Sequence, residues 1–144
     1  SPKDVKRVVL CSGKVYFDLA DRRDKIGRRD TAIVRVEQFY PLHASMVKGI
    51  LGRYPKNVEL IWCQEEPRNA GGFQFMNDVF RSQLGLSGLA YIGRETSATP
   101  ATGSKHTHKY QQEAVISAAI GPLPDAGKDK PAKGAPADKA HAPA

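Results

Sequence analysis

The side chains that could do chemistry stand at the ends of apolar runs. Ser12-Gly13-Lys14 follows one such run and opens a helical pattern, a place where backbone N–H groups and a lysine can receive a phosphate. The tripeptide matches neither G-x-x-x-x-G-K-[ST] nor G-x-G-x-x-G, so a tight turn into a helix is the plainer alternative. Glu65 and Glu66 follow another apolar run and are the residue types of a general acid/base pair. Adjacent residues of an extended segment point to opposite sides, however, which favours loop capping or an inter-domain ion pair. His106 and His108 are two apart in a predicted helix and do not face each other, so no metal site is expected there. Cys11 and Cys63 lie inside apolar runs without C-x-x-C spacing, and they read as buried thiols of a reducing compartment. No Ser-His-Asp or Cys-His set can be assembled, and no catalytic residue is assigned.

The elements that position these groups alternate. Lys6–Cys11 reads as a strand, and Val15, Tyr16, Leu19 and Ile26 recur at helical spacing after it. Arg22, Arg23, Lys25, Arg28 and Arg29 crowd the end of that helix, where cations meet the negative end of its dipole; a solvated basic face is the expectation. Ala32–Val36 is a second strand, His43 to about Leu51 a short helix, and Val58–Cys63 a third strand, fully buried. Gln64–Glu66 then fall just beyond its carboxyl end, Pro67 stops the ladder, and Gly71-Gly72 open a helix with Phe73, Met76, Val79, Phe80 and Leu84 on one face. Gly88–Gly93 gives a fourth strand. A last helix runs from about Ser104 to Ile120, with Tyr110, Ala114, Val115, Ala118 and Ala119 on or near one face, and Gly121-Pro122 ends it. Such alternation predicts parallel strands with helices on both faces.

The 144 residues allow one domain with a real core. From Pro122 the composition turns to Ala, Pro, Lys, Asp and Gly, too poor in large apolar side chains to offset the ordering cost, so 1–121 is expected to fold and 122–144 to be a disordered tail. That tail holds four Lys and three Asp, so nearly all of the +7 net charge belongs to the folded part. The bases are not interleaved with exposed aromatics and no nucleic-acid motif occurs, so nucleic acid is not an expected partner. No apolar run approaches the ~20 residues that cross a bilayer, and no membrane is expected either. The start at Ser1-Pro2-Lys3-Asp4-Val5, almost on the first strand, predicts a piece of a longer protein or a split gene.

Four blocks carry a further message: Lys6–Leu19 with its Ser12-Gly13-Lys14-Val15-Tyr16, Ala32–Pro41 with Glu37-Gln38-Phe39-Tyr40-Pro41, Trp62–Gly71 with Gln64-Glu65-Glu66-Pro67-Arg68-Asn69-Ala70-Gly71, and Gly93-Arg94 followed by Ser97–Gly103. In order and separation they resemble the carboxy-terminal domain of 2-oxoglutarate dehydrogenase E1, over about Val5–Gly121. The S-G-K-[VL]-Y, E-Q-x-x-P and Q-E-E-P-x-N-x-G patterns are closer to this branch than to pyruvate dehydrogenase or transketolase. The resemblance implies a transketolase C-terminal-like fold: α/β, three layers α/β/α, with a mostly parallel five-strand sheet and one antiparallel edge strand. The chain pattern itself yields four strands.

The family decarboxylates 2-oxoglutarate on thiamine diphosphate with Mg2+ and passes the succinyl group to a lipoyl arm of the E2 dihydrolipoyl succinyltransferase. The cofactor site needs a G-D-G motif that this chain lacks, so the resemblance implies a domain that is inactive alone. Its implied partners are the other E1 domains, the E1 homodimer and the E2 complex, in the cytoplasm or, in a eukaryote, the mitochondrial matrix. Some members form part of a pocket for AMP or acetyl-CoA here. Carried onto matching positions, Lys14, Arg22, Arg94, Ser97, Thr99 and Gln111 are the candidate effector ligands, with Lys14 and Arg94 on phosphate; His108 also falls where relatives carry a histidine. The alternative is a freestanding α/β module that binds a nucleotide or phosphate. A severed domain should expose a broad apolar patch, and a self-sufficient module should not.

Overall fold

The computed structural model describes residues 1–37, 42–96 and 105–124, with side chains of the last segment from His108 onward. After a 3-10 turn, Pro2–Asp4, come β1 (Arg7–Cys11), α1 (Val15–Ile26), β2 (Thr31–Arg35), α2 (Ala44–Leu51), β3 (Glu59–Pro67), α3 (Phe73–Ser82), β4 (Ala90–Arg94) and α4 (Lys105–Ala119). The strands form one sheet in the order β2-β1-β3-β4, every neighbour parallel. The register sets Leu10 beside Trp62 and Cys11 beside Cys63.

The strict period of two in a strand divides this sheet into two cores. Val9, Cys11, Ile61 and Cys63 face α1 and α4, where Val15, Leu19, Val115, Ile116, Ala119 and Ile120 cover them. Val8, Leu10 and Trp62 face the other way, under Phe73, Met76 and Phe80 of α3, with Val47 and Leu51 of α2 packed at the margin. The chain steps from β1 to β2 in one direction and from β2 through β3 to β4 in the other. Crossovers of one hand therefore lay α1 on one face and α2 and α3 on the opposite face. The result is the three-layer α/β/α arrangement.

Three expectations change. The sheet has four strands among the described residues, all parallel, rather than five with an antiparallel edge; the stretches in which a further strand was sought, the loop before α4 and the chain's end, fall largely in 97–104 and 125–144, outside the described residues, as does most of the expected tail. β3 does not stop before Gln64 but runs to Pro67, with its register shifting between Cys63 and Pro67, because β4 continues alongside and Arg94 pairs with Pro67. On α4 the buried positions include Ile116 and Ile120, whereas Tyr110, Ala114 and Ala118 are exposed, so its inner face is rotated from the one expected.

Candidate functional site

In this strand order the connection leaving β1 turns toward β2 and the one leaving β3 turns toward β4. A crevice therefore opens between the carboxyl ends of β1 and β3, the place where open α/β sheets put their ligands. Its β3 wall is organised by Gln64, only 2% exposed. The Gln64 Nε2 donates to the carbonyl oxygens of Glu66 (3.1 Å), Pro67 (2.9 Å) and Ala70 (2.8 Å), and Oε1 accepts from Trp62 Nε1 (2.8 Å) and from the Phe73 N–H (3.1 Å). One amide thus ties the end of β3, the turn after it and the first turn of α3. Gly71 must be glycine here: its φ is +68°, and a Cβ would stand 2.8 Å from Gln64 Oε1. Tyr91 adds its hydroxyl to the carbonyls of Arg94 and Glu66, and burial raises that phenol to about 12. A cavity of about 290 Å³ lies against this wall, lined by Ser12, Trp62, Gln64, Glu66, Gly72 and Phe75 among others.

Three of the candidate effector residues, Lys14, Arg94 and Gln111, fall on the α1/α4 side of the same edge. Lys14 is exposed and forms the N-cap position of α1 without a side-chain cap. One turn later Asp18 accepts from Gln112 Nε2 (3.2 Å), which also donates to Glu65 Oε1 (2.9 Å), and Arg94 Nε donates to the Glu65 carbonyl (2.6 Å). This network brings α1, α4, β3 and β4 together, with Gln111 next in line on α4; the Gln111 Oε1 is buried without a hydrogen-bond partner. Glu65 and Glu66 do point apart and form no acid/base pair: Glu65 serves α4, and loop capping falls to Gln64. None of Lys14, Arg22, Arg94 or Gln111 lines the cavity beside Gln64. Ser97 and Thr99 lie outside the described residues, and so does the side chain of His106; His108 is exposed.

Arg22 stands apart from that group and corrects the expected solvated basic face. It is 5% exposed, and its guanidinium holds both Glu113 oxygens (2.6 Å each), Ser117 Oγ (3.1 Å) and the Gly121 carbonyl (3.0 Å). Arg28 bonds the Ile120 carbonyl and Asp30, which holds the Asp30 carboxyl below its usual range, and Arg7 caps the carbonyls of Ala118 (2.9 Å) and Ala119 (3.0 Å) while pairing with Glu59. Three arginines from separate segments thus close the carboxyl end of α4, where orphan carbonyls carry the negative end of the dipole. Arg29 is exposed, and Arg23 reaches only the Thr31 carbonyl at 3.5 Å.

Both thiols are fully buried and free. Burial pushes Cys11 up to about 12 and Cys63 higher still, so neither supplies a thiolate nucleophile at neutral pH. Among the described residues no three His, Cys, Asp or Glu side chains stand together in a metal-ligating group, and no helix is long and apolar enough to cross a membrane. Large apolar side chains are exposed at the start of every helix: Phe17 on α1, Met46 on α2, Phe75 on α3 and Tyr110 on α4. In a parallel sheet the helices run against the strands, so these side chains rim the same edge as the crevice.

A sequence model of the family described as "2-oxoglutarate dehydrogenase C-terminal" matches residues 1–120. The 2-oxoglutarate dehydrogenase E1 component of Haemophilus influenzae is 44% identical over 120 residues, 83% of this chain and 13% of that protein. That of Rickettsia felis is 41% identical over 122 residues, 82% of this chain and 12% of its own length. The mitochondrial 2-oxoglutarate dehydrogenase of Caenorhabditis elegans is 41% identical over 124 residues, 84% and 12% respectively. The chain spans only 12–13% of the length of the relatives it matches. With a four-strand parallel sheet and the Q-E-E-P-x-N-x-G turn built around Gln64, the chain belongs to the 2-oxoglutarate dehydrogenase C-terminal family.

Proposed function

We propose that this chain is the regulatory and assembly domain at the carboxyl end of a thiamine-diphosphate-dependent 2-oxoglutarate dehydrogenase E1, which decarboxylates 2-oxoglutarate in the tricarboxylic acid cycle and hands the succinyl group to the lipoyl arm of E2. The observation that carries this reading is the family match over the whole folded unit at about 40% identity to E1 components several times its length. The cofactor fits elsewhere. The chain has no Gly-Asp-Gly, and its described residues present no cluster of carboxylates or imidazoles for Mg2+. On this reading thiamine diphosphate and Mg2+ belong to the rest of E1, and this domain contributes packing, the E1 dimer and control, in the cytoplasm or the mitochondrial matrix according to host.

The apolar side chains exposed along one edge support a domain with neighbours over a freestanding phosphate-binding module. For control, Lys14, Arg94 and Gln111 are the residues that would meet AMP or acetyl-CoA, with Ser97 and Thr99 on the adjoining segment. Exposed Lys14 and the buried Gln111 oxygen left without a partner support that role. Arg22, spent on α4, would act by holding the helix that carries Gln111. Mixing this chain with the separately produced remainder of E1 is expected to restore 2-oxoglutarate decarboxylation that neither piece shows alone. Turnover by the lone chain would refute the assignment. In the restored enzyme Lys14→Ala should weaken the effector response and spare basal turnover.

A further inference from the structure

Helix α2 is out of keeping with the rest of the fold. Seven of its eight residues, Ala44-Ser45-Met46-Val47-Lys48-Gly49-Ile50-Leu51, are uncharged and four are large and apolar, yet none is buried, and Met46 is 63% exposed. Between α2 and the β2 edge lies a groove of about 310 Å³ whose floor is Val34 and Leu42 and whose α2 side is Met46, Val47 and Ile50. The polar residues at its lip are Arg35 and Glu37, which pair with each other, and His43. Arg35 stacks over the rings of Tyr16 and Phe17, 5.4 and 5.0 Å from their centroids, so the apolar surface continues past the guanidinium onto Phe17, itself 58% exposed.

A small apolar ligand could fill such a groove but would leave Phe17, which does not line it, in water. A polypeptide can cover both the groove and Phe17. We infer that the α2 groove and the neighbouring Phe17 form the face that docks this domain onto the preceding part of an E1 chain, through a segment that inserts large apolar side chains. The inference rests on the E1-domain reading above and specifies where that contact is made. One observation selects the occupant: the relatives contain about seven times as much chain outside the matched region as within it, a large source of covering surface, and with Arg35 paired to Glu37 the lip asks for apolar rather than charged cover.

The test is binding of the 144-residue chain to the separately produced remainder of E1, measured by titration calorimetry. Met46→Asp and Phe17→Asp each alter an exposed side chain and are expected to weaken binding by about tenfold or more. Leu86→Asp, an exposed apolar position after α3 toward the opposite edge, should stay within about twofold. Wild-type binding that ignores Met46→Asp would overturn the docking face and leave the domain assignment standing, whereas no binding by the wild type would remove both. Self-association of the lone chain, dissolved by Met46→Asp, would make the occupant a second copy and overturn the proposal. Should a variant unfold, hydrogen exchange on the wild type decides: α2 gains protection in the complex, and unchanged exchange there rejects the face.

Discussion

Replacing Gln64 by Leu keeps the volume and removes the amide. The Phe73 N–H, buried at the first residue of α3, loses its acceptor, the Trp62 indole loses its bond to Oε1, and three carbonyls of the Glu66–Ala70 turn lose their shared donor. An orphaned buried donor costs about 1–3 kcal/mol, and each further exchanged bond about 0.5–1.5 kcal/mol, so the change should remove about 3–4 kcal/mol after some relaxation. That is a large share of the ~5–15 kcal/mol typical of a domain. With a urea dependence of about 1–3 kcal/mol per molar, the unfolding midpoint should fall by about 1–4 M. Gln64→Glu sharpens the test. Its carboxylate would face the oxygens of Glu66, Pro67 and Ala70, so the fold raises its pKa above the ordinary ~4.3. A raised pKa means stability that is present below the ordinary value and lost as pH rises. The Glu variant should therefore approach the wild type in acid and fall away toward neutrality. A Leu variant within about 0.5 M of wild type, together with a Glu variant whose deficit does not change with pH, would show that Gln64 is not the organiser of this turn.

Gly71→Ala should cost clearly more than Gly27→Ala in the same urea titration: both have φ near +65°, at about 1–2 kcal/mol of strain, but only at Gly71 does the new Cβ press on Gln64, whereas Gly27 has open space. Arg22→Met should lower stability by about 1.5–3 kcal/mol because it uncaps the end of α4, while Glu113→Gln, at a half-exposed partner, should cost about 0–1 kcal/mol; equal losses would mean that the ion pair rather than the carbonyl cap is what matters. Cys11 and Cys63 should resist an aromatic disulfide reagent in the native chain and react at once in denaturant, and native labelling as fast as denatured labelling would contradict their burial. Because burial raises Cys11 from 9.0 and Tyr91 from 10.0, each to about 12, the fold favours their neutral forms; stability is intact below those ordinary values and should decline as pH climbs through the interval to 12, read as a falling thermal midpoint.

Most of the architecture was legible because short continuous apolar runs alternate with stretches of helical period. Val8 to Cys11 and Leu60 to Cys63 announce two-sided burial, and all four strands of the sheet were found from the pattern alone. What escaped depends on groups whose partners lie far along the chain. Arg22 occupies the inner stripe of α1 with Val15, Leu19 and Ile26, and a cation at that spacing is the mark of a buried anchor, but its partners are about a hundred residues away on α4. Gln64 shares the face of Trp62 two residues earlier, so its side chain has to be internal, but the apolar run stops at Cys63 and marks the strand's end one residue before it. Arg94 and Gln111 became effector candidates only through the family resemblance, and the network of Asp18, Glu65 and Gln112 that joins α1, α4, β3 and β4 has no local signature.

The arginine clasp on α4 has a consequence for biogenesis. Arg7, Arg22 and Arg28 leave the ribosome well before the carbonyls that satisfy them, which belong to residues 118–121, made 92 to 112 positions later. Until those residues emerge, β1 and α1 lack the lid that seals one face of the sheet. Vectorial synthesis therefore cannot complete this unit strand by strand, and a nascent chain stalled before Ala118 should remain open to protease along its entire α1 side.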